Sequence, residues 1–141
     1  MSKRLRCFVV DESSKFLQAA GFFLAMQPSV EVIGLSPGRE GTFRRVMTLR
    51  PDVVLVDLAL IRKEGLFVIQ GLKSLQKPPY VVIMSQGNGT EYRSRAIEAG
   101  ADAFVVKSDF TAAMKPLLSR FQRDNGLREQ GGRDKIVECA K

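Results

Sequence analysis

A chain of 141 residues with 45% apolar and 26% charged residues is long enough for one domain with a sizeable core and too apolar to be disordered. It contains no histidine, which removes His-based general acid–base catalysis, Ser–His triads and His-ligated metal sites. The net charge of +7 arises within residues 1–123, because basic and acidic residues balance from Asp124 onward.

Strand and helix patterns alternate along the chain. Residues 5–10 read as a first strand. Ser13 or Ser14 can cap a helix reaching about Met26, with Phe16, Ala20, Phe23 and Leu24 on one face, and Pro28 ends it. Residues 30–35 form a second strand. A second helix over 39–49 turns Phe43, Val46 and Met47 inward, and Pro51 marks the next break. Residues 52–56 form a third strand, 58–65 a loop and 66–76 a third helix. Pro78-Pro79 precedes a fourth strand at 80–85, followed by the flexible connection Gln86-Gly-Asn-Gly89. A fourth helix spans 90–99 with Gly100 just past its end. Residues 103–106 form a fifth strand. Asp109 can cap a fifth helix carrying Phe110, Ala113, Met114, Leu117 and Phe121, in which Pro116 is expected to kink or split the element. Residues 124–141 read as a polar, frayed tail, in which Ile136-Val137 could dock against the domain. Five βα units joined by short connections specify a five-stranded parallel sheet with helices on both faces.

Four of the strand runs, at 7–10, 53–56, 80–84 and 103–106, are rich in Val, Ile and Phe, as expected of strands buried on both faces. All four end on polar groups: Asp11-Glu12, Asp57, Ser85 and Lys107. Parallel strands all finish on one sheet edge, where ligands bind, so these groups are expected in one pocket. Three crowded carboxylates repel one another unless a cation sits among them, and oxygen ligands without His or Cys favour Mg²⁺. Lys107 can pair with Asp57 in the empty site and with phosphate in the loaded one, and the Ser85 hydroxyl can donate to a phosphoryl oxygen. Metal, ammonium and hydroxyl together neutralise charge in phosphoryl transfer, leaving Asp57 as the nucleophile that forms an acyl phosphate.

These residues carry a resemblance. Val-Val-Asp-Glu-Ser (9–13), Pro-Asp-Val-Val-Leu-Val-Asp (51–57), Gly65, Val-Ile-Met-Ser (82–85) and Ala-Gly-Ala-Asp-Ala-Phe-Val-Val-Lys (99–107) resemble the receiver domain of bacterial two-component response regulators over about residues 5–123. The resemblance implies a flavodoxin-like (βα)5 fold, with residues 1–123 as the receiver. Asp57 would take phosphate from a phosphohistidine on a sensor histidine kinase. Asp11, Glu12, Asp57 and the Ala59 carbonyl would hold Mg²⁺. Ser85 and Lys107 would contact the phosphoryl group, with Phe104 as the aromatic that moves inward with Ser85. Output would run through the surface of the fourth helix, fifth strand and fifth helix, where Tyr92, Arg93 and Arg95 fall, toward a downstream protein. Self-association is left open. The implied protein is a switch with at most slow autodephosphorylation and not an enzyme.

Three positions depart from the pattern. Leu60-Ile61 replaces the usual Met-Pro pair, Gln86 replaces a small residue, and Ser108 replaces the proline after Lys107. A cis bond before a non-proline costs about 3 kcal/mol, so a trans bond is expected at 107–108. The alternative is a module that keeps the fold and switches by binding alone, without phosphorylation; it would be marked by a lost acid or lysine, and none is lost. An Asp-nucleophile phosphohydrolase lacks its second acid, since Ala59 stands two residues after Asp57. Arg44-Arg45, Arg93/Arg95 and Arg120/Arg123 form basic clusters without interleaved aromatics, which read as solvated surface and not as a nucleic-acid interface. No apolar stretch approaches the roughly 18 residues of a membrane span. The basic start lacks an apolar signal core. Cys7 and Cys139 make no disulfide framework, so a reducing cytoplasm is expected. Too few residues follow Arg123 for a second core, whether the chain stands alone or belongs to a longer regulator.

Overall fold

The structure, a computed structural model, describes residues 3–87 and 90–130. Five strands, β1 (Leu5–Val10), β2 (Val30–Ser36), β3 (Val53–Asp57), β4 (Tyr80–Ser85) and β5 (Ala103–Val106), form one parallel sheet in the order β2-β1-β3-β4-β5. Among the described residues six helices flank it: α1 (Ser14–Ala25), α2 (Thr42–Leu49), α3 (Leu58–Glu64), α4 (Phe67–Lys73), α5 (Thr90–Glu98) and α6 (Phe110–Gln130), with a 3₁₀ turn at Lys107–Asp109.

Alternation along the strands builds two cores. Leu5, Cys7, Val9, Leu55 and Met84 pack with α1 and α6 on one face. Phe8, Val10, Val54, Val56 and Ile83 pack with helices α2 to α5 on the other. The β1–β2 register slips between Cys7 and Phe8, where the Phe8 ring lies over Gly34. A Cβ at Gly34 would sit 2.4 Å from that ring, so glycine is what admits Phe8 at the irregularity.

The expected elements differ from the structure at several places. Residues 58–64 are helical, not a loop. Asp57 ends β3 and also caps α3, its carboxylate accepting from the Ala59 amide, and the following Leu-Ala-Leu-Ile-Arg-Lys-Glu consists of strong helix formers. Leu58, Leu60 and Ile61 bury the inner face of this helix, and Gly65 (φ 113°) ends it. The next helix is correspondingly shorter than 66–76. α2 begins at Thr42, and Met47 is 49% exposed because Thr42 and Val46 take the buried positions. α6 runs unbroken through Pro116: Met114 and Leu118 on either side are buried against the sheet, and this packing outweighs the missing backbone bond. The same helix continues past Arg123, so residues 124–130 are not a frayed tail. Residues 131–141, including Ile136-Val137 and Cys139, lie outside the described residues, as do 88–89 in the connection after β4.

Candidate functional site

Sheet register brings the site together. Val10 pairs with Val56, which sets Asp11 beside Asp57 at the ends of β1 and β3. Ser85 pairs with Val106, so Lys107 follows directly at the end of β5. From there Lys107 reaches across the end of β4 to both acids. Its Nζ lies 2.7 Å from Asp11 Oδ2 and 3.3 Å from Asp57 Oδ1. The three side chains are almost sealed from solvent, at 11% exposure for Lys107, 9% for Asp57 and 0% for Asp11. Phe16 of α1 lies against the ammonium, 4.8 Å from ring centre to Nζ.

Local bonds fix each acid. Asp11 Oδ1 accepts from the Ser13 amide at 2.8 Å, in the turn whose Ser13 hydroxyl caps α1 by accepting from the Phe16 amide. Asp57 Oδ1 accepts from the Ala59 amide at 3.3 Å. The Lys107–Ser108 peptide is trans, as its sequence leads one to expect.

The remaining expected residues sit nearby but are otherwise engaged. Glu12 is exposed, and its Oε2 pairs with Lys63 of α3 at 3.5 Å. Ser85 Oγ donates to the Gly87 carbonyl at 2.6 Å. Ala59 lies inside α3 and not in a loop. Phe104 is half-buried on β5, with the Arg93 guanidinium 5.8 Å from its ring centre. Tyr92 is half-buried between the guanidiniums of Arg62 and Arg95, each 4.8 Å away, so it is not simply part of a solvated helix face. Sequence reasoning missed Lys63, Arg62 and the contact of Phe16 with Lys107. The first two depend on α3 being a helix. The Phe16 contact had no sequence signal, because its spacing already marked it as a core residue.

The acids suit a hard cation. Asp11 Oδ2 is buried and makes no hydrogen bond. Lys107 is close enough for an ion pair but outside hydrogen-bonding angles, so this oxygen keeps unused acceptor capacity. Among the described residues no three His, Cys, Asp or Glu side chains are grouped so as to hold a metal ion, so Glu12 does not join Asp11 and Asp57 in this structure. Mg²⁺ does not need such a group, since it keeps several waters and takes one or two carboxylates plus phosphate oxygens.

The response regulator receiver domain model matches residues 7–116. The chain belongs to the response regulator receiver family. Its curated relatives include protein-glutamate methylesterase/protein-glutamine glutaminase 3 of Geobacter sulfurreducens, 33% identical over 74% of this chain and 28% of that protein. Another is protein-glutamate methylesterase/protein-glutamine glutaminase 2 of Cereibacter sphaeroides, 34% identical over 77% of this chain and 30% of that protein. The chain thus spans about 30% of the length of these two relatives. Among solved structures, the response regulator domain of Thermotoga maritima CheB aligns with a TM-score of 0.72 at 19% identity, covering 86% of this chain and 98% of that one. The signal receiver domain of the putative response regulator NarL from Mycobacterium tuberculosis aligns with a TM-score of 0.70 at 22% identity, covering 83% and 98%. At these identities the structures establish the flavodoxin-like receiver fold of this chain. No helix among the described residues is long and apolar enough to cross a membrane.

Proposed function

We propose that this receiver accepts a phosphoryl group on Asp57 from a phosphohistidine of a sensor histidine kinase in the cytoplasm. The observation that carries the proposal is the bridging of Asp11 and Asp57 by Lys107 in a nearly sealed pocket at the carboxyl edge of the sheet. A carboxylate oxygen of Asp57 attacks phosphorus, the new O–P bond forms as the P–N bond to imidazole breaks, and the leaving imidazole takes up a proton. Asp11, Asp57 and Glu12 would hold Mg²⁺, which supplies positive charge to the phosphoryl oxygens. The Ala59 carbonyl would join them only if the first turn of α3 opened, because carbonyls in a helix point along its axis toward the C-terminal end. Lys107 would shift from the two carboxylates to the phosphoryl group. Ser85 would exchange the Gly87 carbonyl for a phosphoryl oxygen, and Phe104 would move with it. The α5–β5–α6 surface would then engage a downstream protein.

The chain itself would act as a phosphoacceptor with slow self-dephosphorylation. The esterase activity named for its longer relatives is not assigned to it. Intact mass after incubation with acetyl phosphate and Mg²⁺ tests the proposal. The parent is expected to gain one phosphoryl group and Asp57→Asn none. A folded parent that gains none favours the module that switches by binding alone.

A further inference from the structure

In this structure two lysines hold all three carboxylates of the acidic edge. Lys107 pairs with Asp11 and Asp57, and Lys63 pairs with Glu12 at 3.5 Å. The two lysines differ in kind. Lys107 is only 11% exposed and lies between the two acids of the proposed phosphoryl site. Lys63 is 67% exposed and reaches Glu12 only because residues 58–64 are helical and directly follow Asp57. Gly65 then fixes where that helix ends.

We propose that Lys63 is a tethered competitor for the metal, a positioning residue that holds Glu12 through an ion pair and so weakens Mg²⁺ binding at the Asp11/Asp57 edge. This rests on the proposed Mg²⁺ site. A cation entering that edge meets Glu12 already neutralised by a neighbouring ammonium, and it must either displace Lys63 or lose the help of that carboxylate. The pair is solvent-exposed, so its strength is that of a surface ion pair and it is screened by salt. The effect is therefore a tuning of the Mg²⁺ requirement and not a block.

The test is a Mg²⁺ titration read by thermal melting on the whole chain, with no phosphodonor present. Lys63→Met is expected to tighten Mg²⁺ binding about two- to fivefold, the range that an exposed ion pair supports. Lys63→Arg should bind as the parent does. Lys77→Met removes an equal charge from the exposed turn between α4 and β4, at the opposite edge of the sheet, and should also change nothing. In a Glu12→Gln background, Lys63→Met should lose most of its effect, and in the parent background the gain should shrink at high salt. Unchanged affinity in Lys63→Met, in a parent that does bind Mg²⁺, overturns the role of Lys63 alone. An equal gain in the Glu12→Gln background also overturns it, since the charge would then act at long range and not through the pair. Absence of any Mg²⁺-dependent stabilisation in parent and variant alike overturns both this inference and the metal site beneath it.

Discussion

Replacing Lys107 by Met keeps an apolar stem of similar length and removes the ammonium, together with its contact to the Phe16 ring. Asp11 and Asp57 are then left side by side, nearly out of reach of water, without the charge that lies 2.7 and 3.3 Å from them. Breaking a buried ion pair by removing one partner costs about 3–5 kcal/mol. The low end, about 3 kcal/mol, applies here because Asp57 and Lys107 keep 9% and 11% exposure and are not wholly desolvated. With a urea slope of about 1.5–2 kcal/mol/M, the unfolding midpoint should fall by about 1.5–2 M, followed by far-UV circular dichroism in Mg²⁺-free buffer. The signature that separates this from ordinary core damage is its response to Mg²⁺. The metal replaces the missing charge and binds only the folded chain, so it should stabilise Lys107→Met more than the parent and narrow the gap. Adding Asp57→Asn to Lys107→Met should restore part of the loss by removing one of the opposed charges. A loss below about 0.5 kcal/mol, the scale of an ordinary surface substitution, would refute the reasoning. So would a gap that Mg²⁺ leaves unchanged.

Further outcomes follow from the packing. Gly34→Ala places a methyl 2.4 Å from the buried Phe8 ring and should destabilise by about 1–3 kcal/mol in denaturant melts, with Phe8→Leu in the same chain recovering part of it. Tyr92→Leu removes the ring between Arg62 and Arg95, at about 0.5–1 kcal/mol per exposed contact, and should lower the melting temperature by a few degrees at unchanged helix content. Burial, with a smaller effect from the Asp52 carboxylate, raises the Cys7 thiol from 9.0 to about 12. Below pH 9.0 the folded and unfolded chains both keep this proton. Between 9.0 and about 12 only the unfolded chain loses it, so stability should fall as pH rises through that window, and Cys7→Ala should show a shallower slope. For the same reason Cys7 should resist alkylation until the chain is denatured.

The sheet was legible because β3, β4 and β5 are nearly unbroken apolar runs that end at a polar residue, and β4 and β5 fall where the runs predict. Asp11, Asp57 and Lys107 were legible as a set because parallel strands share one carboxyl edge. The segment after Asp57 was misread for a local reason. A strand that ends on a residue able to cap the next helix needs no linker, and an Asp followed by seven good helix formers was itself the signal. Overlooking that helix also hid Lys63 and Arg62, whose partners Glu12 and Tyr92 are distant in sequence. The continuity of α6 through Pro116 could not be read from propensity, since it depends on how deeply Met114 and Leu118 are buried. The engagement of Ser85 with the Gly87 carbonyl is likewise a matter of side-chain rotation that no residue pattern encodes.

The most direct test of the account is to locate the phosphoryl group itself. The chain is loaded with acetyl phosphate and Mg²⁺, treated with borohydride, which reduces an acyl phosphate to the corresponding alcohol, and mapped by tandem mass spectrometry. The account predicts homoserine at position 57 and nowhere else, absent when Mg²⁺ is chelated and absent in Asp57→Asn. Reduction at Asp11 or Glu12, phosphate retained on Ser85, or no modified residue in a folded chain with excess Mg²⁺ would contradict it.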